Sequence, residues 1–195
     1  MIALWLKLTF SLFAGIVIVI YWRRYGPGNL LWFCDFALLV LIPAVWLESA
    51  LLLSLAALLV LLPELVWIVL FVIRLLTGWR CGGVLDYMFE PQRPRLLKAL
   101  SLFHIPMPLL MLWLLTQIGY DPRALPLAIV TAWIILLLSR FLTPPERNIN
   151  WVQGPGGEGY RQQFMPPGLY LVVLMLSSSL LIHWPSHLAL RHVFG

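Results

Sequence analysis

Apolar residues run in long blocks along this chain, broken by short polar segments. The blocks lack the two-residue alternation of half-buried strands and the narrow stripe of a helix on a water-soluble surface. Runs of roughly 20 apolar residues match a bilayer core of about 30 Å at about 1.5 Å rise per residue. They predict helices over residues 3–21, 97–118, 124–142 and 168–190. Between residues 30 and 76 the apolar character hardly breaks, and one helix of that length would be about 70 Å long, more than twice the bilayer core. The chain must therefore fold back. Glu48-Ser49 is the polar step near the middle, so a tight hairpin is expected there, between helices at 30–47 and 50–76, with Ser49 capping the second. Pro43 and Pro63 fall inside these helices, where neighbours satisfy the freed carbonyls. The pattern predicts an all-α, polytopic membrane protein: one domain over residues 1–195, with six transmembrane helices in one bundle.

Composition agrees. Of 195 residues 62% are hydrophobic and 11% charged, and the mean hydropathy is +0.92. Soluble domains run at about 45–50% apolar and about 25% charged, so a water-soluble fold is excluded. The chain carries 13 Lys and Arg against 8 Asp and Glu, but the basic residues flank apolar runs, which disfavours nucleic acid as a partner. Arg23, Arg24, Arg74, Arg80, Arg93, Arg95, Lys98, Arg140, Arg147 and Arg161 fall in or beside the first, third and fifth loops; Lys7, Arg123 and Arg191 fall on the other side. That bias puts the odd loops in the cytoplasm and both termini outside, N-out and C-out. Arg23-Arg24 after the first apolar run reads as the stop of a retained anchor. Cys34 and Cys81 both fall in the cytoplasmic half, without CxxC or Cys/His ligand spacing, so neither a disulfide nor a metal or other cofactor is expected. The loop over residues 78–96, with Cys81-Gly82-Gly83 and Asp86-Tyr87-Met88-Phe89, reads as an interfacial segment.

Few polar residues remain inside the spans, and candidate chemistry concentrates on them. Asp35 and Glu64 are intramembrane acids, costly in hydrocarbon and expected to face the bundle or a wet cavity. Asp35 otherwise locks two helices together, and Glu64 otherwise satisfies a carbonyl freed by Pro63. His104 enters the fourth helix from the same side as Asp35 and to similar depth, so an acid-oriented general base and a plain helix–helix hydrogen bond are both open. Cys34 is either a nucleophile with His104 as its base or a small apolar packing residue. Adjacent helical positions point about 100° apart, so Cys34 and Asp35 cannot both aim at one small site. Asn148 and Asn150 offer amides to an oxyanion or a lipid headgroup, against ordinary turn chemistry. Arg74 and Arg140 snorkel at helix ends, or hold lipid phosphate. His183 and His187 share a face toward the outer end of the sixth helix and read as a solvated or interfacial pair.

The order of four elements resembles the YwaF-like integral membrane proteins and the related transmembrane acyltransferases: Cys34 in Leu31-Trp32-Phe33-Cys34, His104 in Ser101-Leu102-Phe103-His104, the turn Gly119-Tyr120-Asp121-Pro122-Arg123, and Asn148 to Trp151. The resemblance implies acyl transfer on phospholipids through a Cys of an early helix and a His of a middle one. The His that usually stands just ahead of that Cys has no counterpart; Leu31 and Trp32 occupy the stretch, and Asp35 follows. The string Tyr25-Gly26-Pro27-Gly28-Asn29-Leu30 up to Asp35 is also similar to bacterial integral membrane proteins that bring no activity with them, which implies a bacterial inner membrane. Two kinds of function follow. One is an enzyme on lipid at the cytoplasmic leaflet, with His104, Asp35 and Cys34 catalytic and Asn148, Asn150, Glu64, Arg74 and Arg140 binding substrate. The other is a proton-linked or ligand-binding protein using Asp35 and Glu64, or a non-catalytic membrane subunit.

Overall fold

The apolar blocks become helices in the computed structural model, which describes residues 1–80 and 83–195 and holds no strand among them. Cys81, expected in a cytoplasmic loop, lies outside the described residues. Helix α1 spans Leu4–Tyr25, α3 Ala50–Thr77, α5 Arg95–Ile118, α6 Ala124–Leu142 and α7 Pro167–Phe194, with 22, 28, 24, 19 and 28 residues; all five are long and apolar enough to cross a membrane. Two shorter helices lie between them, α2 at Phe33–Trp46 and α4 at Asp86–Phe89. The outward faces are apolar: Leu8, Leu12, Ile16 and Val19 on α1, Val130, Ile134 and Phe141 on α6, and Leu169, Leu176, Leu180 and Leu188 on α7 are exposed. Such continuous stripes suit lipid and would be a severe liability in water. The arrangement is consistent with an integral membrane protein.

The core forms around α3, whose residues from Leu53 to Leu61 are buried on every side. Close approach comes from small side chains. Ala124, Ala128 and Ala132 of α6 repeat every fourth residue and are all fully buried, as are Ala37 of α2 and Ala56 and Ala57 of α3. In lipid, where tails are as apolar as leucine, seams of this kind let backbones approach and gain dispersion contacts.

The second helix departs from the expected span over 30–47. The segment Pro27–Leu31 forms a 3-10 turn and Trp32 is extended, so α2 begins only at Phe33. At 14 residues it is about 21 Å long, short of a bilayer core. Its apolar composition reflects burial in protein: Ala37, Leu38, Leu41, Ala44 and Val45 are all but inaccessible, packed between α1 and α3. The hairpin after it falls where expected. Glu48 takes a positive φ of 49°, and the Ser49 hydroxyl accepts the Leu52 amide at 3.3 Å, capping α3.

Other boundaries shift for local reasons. The first helix was expected to stop at residue 21 but continues through Arg23-Arg24 to Tyr25, where Gly26, with φ 79°, ends it. The last helix runs to Phe194 and contains a π turn at Ser179–His183. That turn packs against α3 and α6 and leaves His183 and His187 only 2% and 6% exposed, which corrects the expectation of a solvated pair. The loop expected to be interfacial carries α4 against α3, with the Trp67 indole donating to the Tyr87 hydroxyl at 3.1 Å.

Contacts between loops sort them into two ends. Glu48 meets Lys7 and the Ile2 amide, Asp121 meets Ser54, and the Tyr120 amide meets the Phe194 carbonyl. At the other end Tyr21 meets Ser101, Tyr25 meets Arg93 and Arg147, and Leu31 meets Asn150. Hydrogen bonding from Lys7 and from the Ile2 amide holds the half-buried Glu48 carboxyl below the usual carboxylate value. A depressed carboxyl contributes stability above its unfolded value and loses it as pH falls through its folded one. Replacing Glu48 by Gln is therefore expected to remove part of the fall in Tm on acidification below the ordinary carboxyl range, measured in detergent, with little change in Tm at low pH.

Candidate functional site

At the level where α2 begins, three side chains from three helices come together, and Pro106 does much of the placing. Lacking an N–H, Pro106 cannot bond the Leu102 carbonyl four residues back. The Ile105 amide takes that carbonyl instead at 3.0 Å, and Leu102–His104 tighten into a 3-10 turn. In an uninterrupted α-helix Ile105 would have bonded Ser101. The Ser101 carbonyl is thereby released, and His104 Nδ1 meets it at 2.6 Å. A carbonyl only accepts, so Nδ1 carries the hydrogen and Nε2 is left with its lone pair. The ring is held between Trp67, stacked at 4.8 Å between centroids, and its neighbour Phe103 at 4.2 Å.

The free side of His104 faces Glu64 of α3, with Nε2 and Oε1 3.8 Å apart. Cys34, in the first turn of α2, completes the group: one ligand atom from each of Cys34, Glu64 and His104 lies within 4.8 Å of the other two. Glu64 is 3% exposed, and its Oε2 is buried with no hydrogen-bond partner among the described residues. The carboxyl is thus turned toward the imidazole and the thiol.

Asp35 belongs to a neighbouring network. Its Oδ2 accepts from Asn29 Nδ2 at 2.5 Å. The Asn29 Oδ1 accepts from Arg147 at 2.9 Å, and the same guanidinium donates to the Tyr25 carbonyl at 3.0 Å and lies over the Tyr25 ring at 5.2 Å. Asp35 thus reaches the Arg147 guanidinium through one amide rather than by direct pairing. The 100° step between Cys34 and Asp35 sends one to His104 and the other to the Pro27–Leu31 turn. The carboxyl that reaches His104 is Glu64.

The remaining candidates are engaged elsewhere. Asn150 accepts from the Phe33 amide at 3.2 Å and donates to the Leu31 carbonyl at 2.6 Å and to Ser139 at 3.2 Å. It pins the start of α2. Asn148, with φ 42°, donates to the carbonyls of Gly154, Gly156 and Gly157 and accepts the Gln153 amide, organising its own loop. Arg74 is buried, paired with Asp86 and set over the Phe89 ring at 4.4 Å. Arg140 meets Gln153 and lines a small cavity with Arg161, Gln162 and Tyr170. No family model, curated protein or solved structure matches this chain.

Sequence reasoning passed over Asn29, Arg147 and Ser101 as parts of the site. Arg147 counts among the topology charges, and Asn29 and Ser101 enter only within the segments that carry a resemblance. The one usable signal was Pro106, whose missing amide implies a displaced carbonyl close to His104. Replacing Asn29 by Ala leaves Asp35 and Arg147 without their shared partner in a buried place, a loss of about 1–3 kcal/mol. A clearly lowered Tm in detergent is expected, with Asn29→Asp, which sets a second acid beside Asp35, no better.

Proposed function

We propose that the chain is a multi-pass protein of a bacterial inner membrane, with N-out, C-out topology, that transfers or hydrolyses an acyl group on a lipid-like substrate at the cytoplasmic leaflet. The observation that carries this reading is the Cys34 thiol beside an imidazole whose Nδ1 hydrogen is already committed to a carbonyl. Nucleophile, base and an orienting group for the base are the parts of an activated cysteine. The resemblance of the Cys34 and His104 segments to transmembrane acyltransferases points the same way.

In this reading His104 Nε2 takes the thiol proton, and Sγ attacks the acyl carbonyl of the donor lipid. The tetrahedral adduct collapses to a thioester on Cys34, and the leaving alcohol oxygen recovers the proton from Nε2. An acceptor hydroxyl, or water, then gives its proton to Nε2 and attacks the thioester, and the thiol returns to Cys34. Glu64, facing Nε2, stabilises the imidazolium formed in each half. Asp35 positions the turn that precedes α2. Asn148 and Asn150 hold the loop against the start of that helix, and their amides are used in doing so.

Cells making Cys34→Ala or His104→Ala protein are expected to lose the lipid change caused by the wild type, by a factor of about 10² or more, in a lipidomic comparison. A radiolabelled acyl group should also be trapped on Cys34 of His104-intact protein and released by hydroxylamine. Lipid profiles identical for cells with wild type, variants and empty vector overturn the reading. A second reading draws on the buried, unpartnered oxygens Asp35 Oδ1 and Glu64 Oε2, the kind of groups that carry protons across membranes. It requires proton-linked flux in proteoliposomes that Asp35→Asn abolishes.

A further inference from the structure

We infer that Cys34, Glu64 and His104 also form a binding site for a thiophilic divalent cation of the zinc class. The inference uses the same three residues as the acyl-transfer reading but does not need it. Thiolate, carboxylate and neutral imidazole are the three ligand types of tetrahedral zinc sites, and three protein ligands leave the fourth position open. Metal–ligand distances of about 2.0–2.3 Å in a tetrahedron put neighbouring donor atoms roughly 3.3–3.8 Å apart. The imidazole and Glu64 already stand at 3.8 Å, and no donor in the trio is more than 4.8 Å from another. Closing the set requires shifts of about one ångström, within the reach of side-chain torsions.

Three further features favour a cation here. The carbonyl that holds His104 Nδ1 is the outer partner that metal-bound histidines ordinarily have, and it leaves Nε2 as the donor. Glu64 Oε2 is buried with no hydrogen-bond partner among the described residues, a group whose desolvation a nearby cation offsets. Charge also closes: a thiolate and a carboxylate against a dication sum to zero, the least costly total in a low-dielectric interior. The thiol sets the selectivity, since magnesium and calcium prefer all-oxygen ligands. On binding, the Cys34 thiol proton leaves to solvent and the sulfur lone pair goes to the metal. A cation so placed occupies both the thiol and the base, and it holds acyl transfer off until it leaves.

The test uses purified full-length protein in detergent, with Cys81→Ser to leave one thiol and Co2+ as the spectroscopic probe. A thiolate-to-cobalt charge-transfer band saturating at one equivalent per chain is expected, lost with Cys34→Ser and weakened with Glu64→Gln and with His104→Ala. Zn2+ should also protect Cys34 from maleimide in otherwise unaltered protein, with a chelator restoring labelling, a measurement that depends on no site variant folding. Absence of both band and protection overturns the inference, as does a band that survives Cys34→Ser or ignores both of the other substitutions. An acyl group trapped on Cys34 without any metal binding leaves the acyl-transfer reading standing and this one refuted; the converse separates them the other way.

Discussion

The place where α2 begins governs the end of the molecule that holds Cys34, Glu64 and His104. Had the helix started at Leu30, as its apolar character suggests, Cys34 would sit more than a turn deep and its backbone amide would be spent within the helix. The 3-10 turn at Pro27–Leu31 delays the start to Phe33, and Asn150 fixes it from across the bundle by taking the Phe33 amide and the Leu31 carbonyl. Cys34 and Asp35 thereby fall in the first turn, one directed to α3 and α5 and the other back to Asn29. The loop after α6 serves as a clamp on that start, through Arg147 as much as through Asn150.

An apolar bundle also limits how its acids are satisfied. Glu48 and Asp121, in turns at the opposite end of the bundle, pair directly with Lys7 and Arg123. Asp35 reaches a guanidinium only through Asn29, and Glu64 reaches no Lys or Arg among the described residues, with His104 as its counterpart. The gradient follows cost. A guanidinium is hard to bring deep into hydrocarbon, whereas an amide or an imidazole is cheaper to bury. What remains near Glu64 is a group able to take up a proton or to donate a lone pair, which is why the chemistry collects there.

Much of this was legible in the chain. Block length gave the long helices, Glu48-Ser49 gave the hairpin, and the scarcity of charge narrowed the polar candidates to Asp35, Glu64 and His104 with Cys34 beside them. Pairings among them were less legible. Depth along a helix can be counted from its ends, but the facing residue depends on rotation, and Glu64 at mid-helix carried no mark that it rather than Asp35 would meet His104. Apolar content also does not show where a helix begins, so Leu30 to Trp32, which are in or beside a 3-10 turn, read as part of α2. His183 lies buried in the π turn of α7, and which way a side chain of that turn faces cannot be counted from the 3.6-residue period.

The central claim is that the thiol of Cys34 and the imidazole of His104 act as one unit. The rate at which iodoacetamide alkylates Cys34 at neutral pH, in protein carrying Cys81→Ser and treated with chelator, tests it most directly. His104→Ala should slow alkylation by about tenfold or more, because the base that draws off the thiol proton is gone, while His183→Ala should leave the rate unchanged. Equal rates with and without His104 would contradict the account.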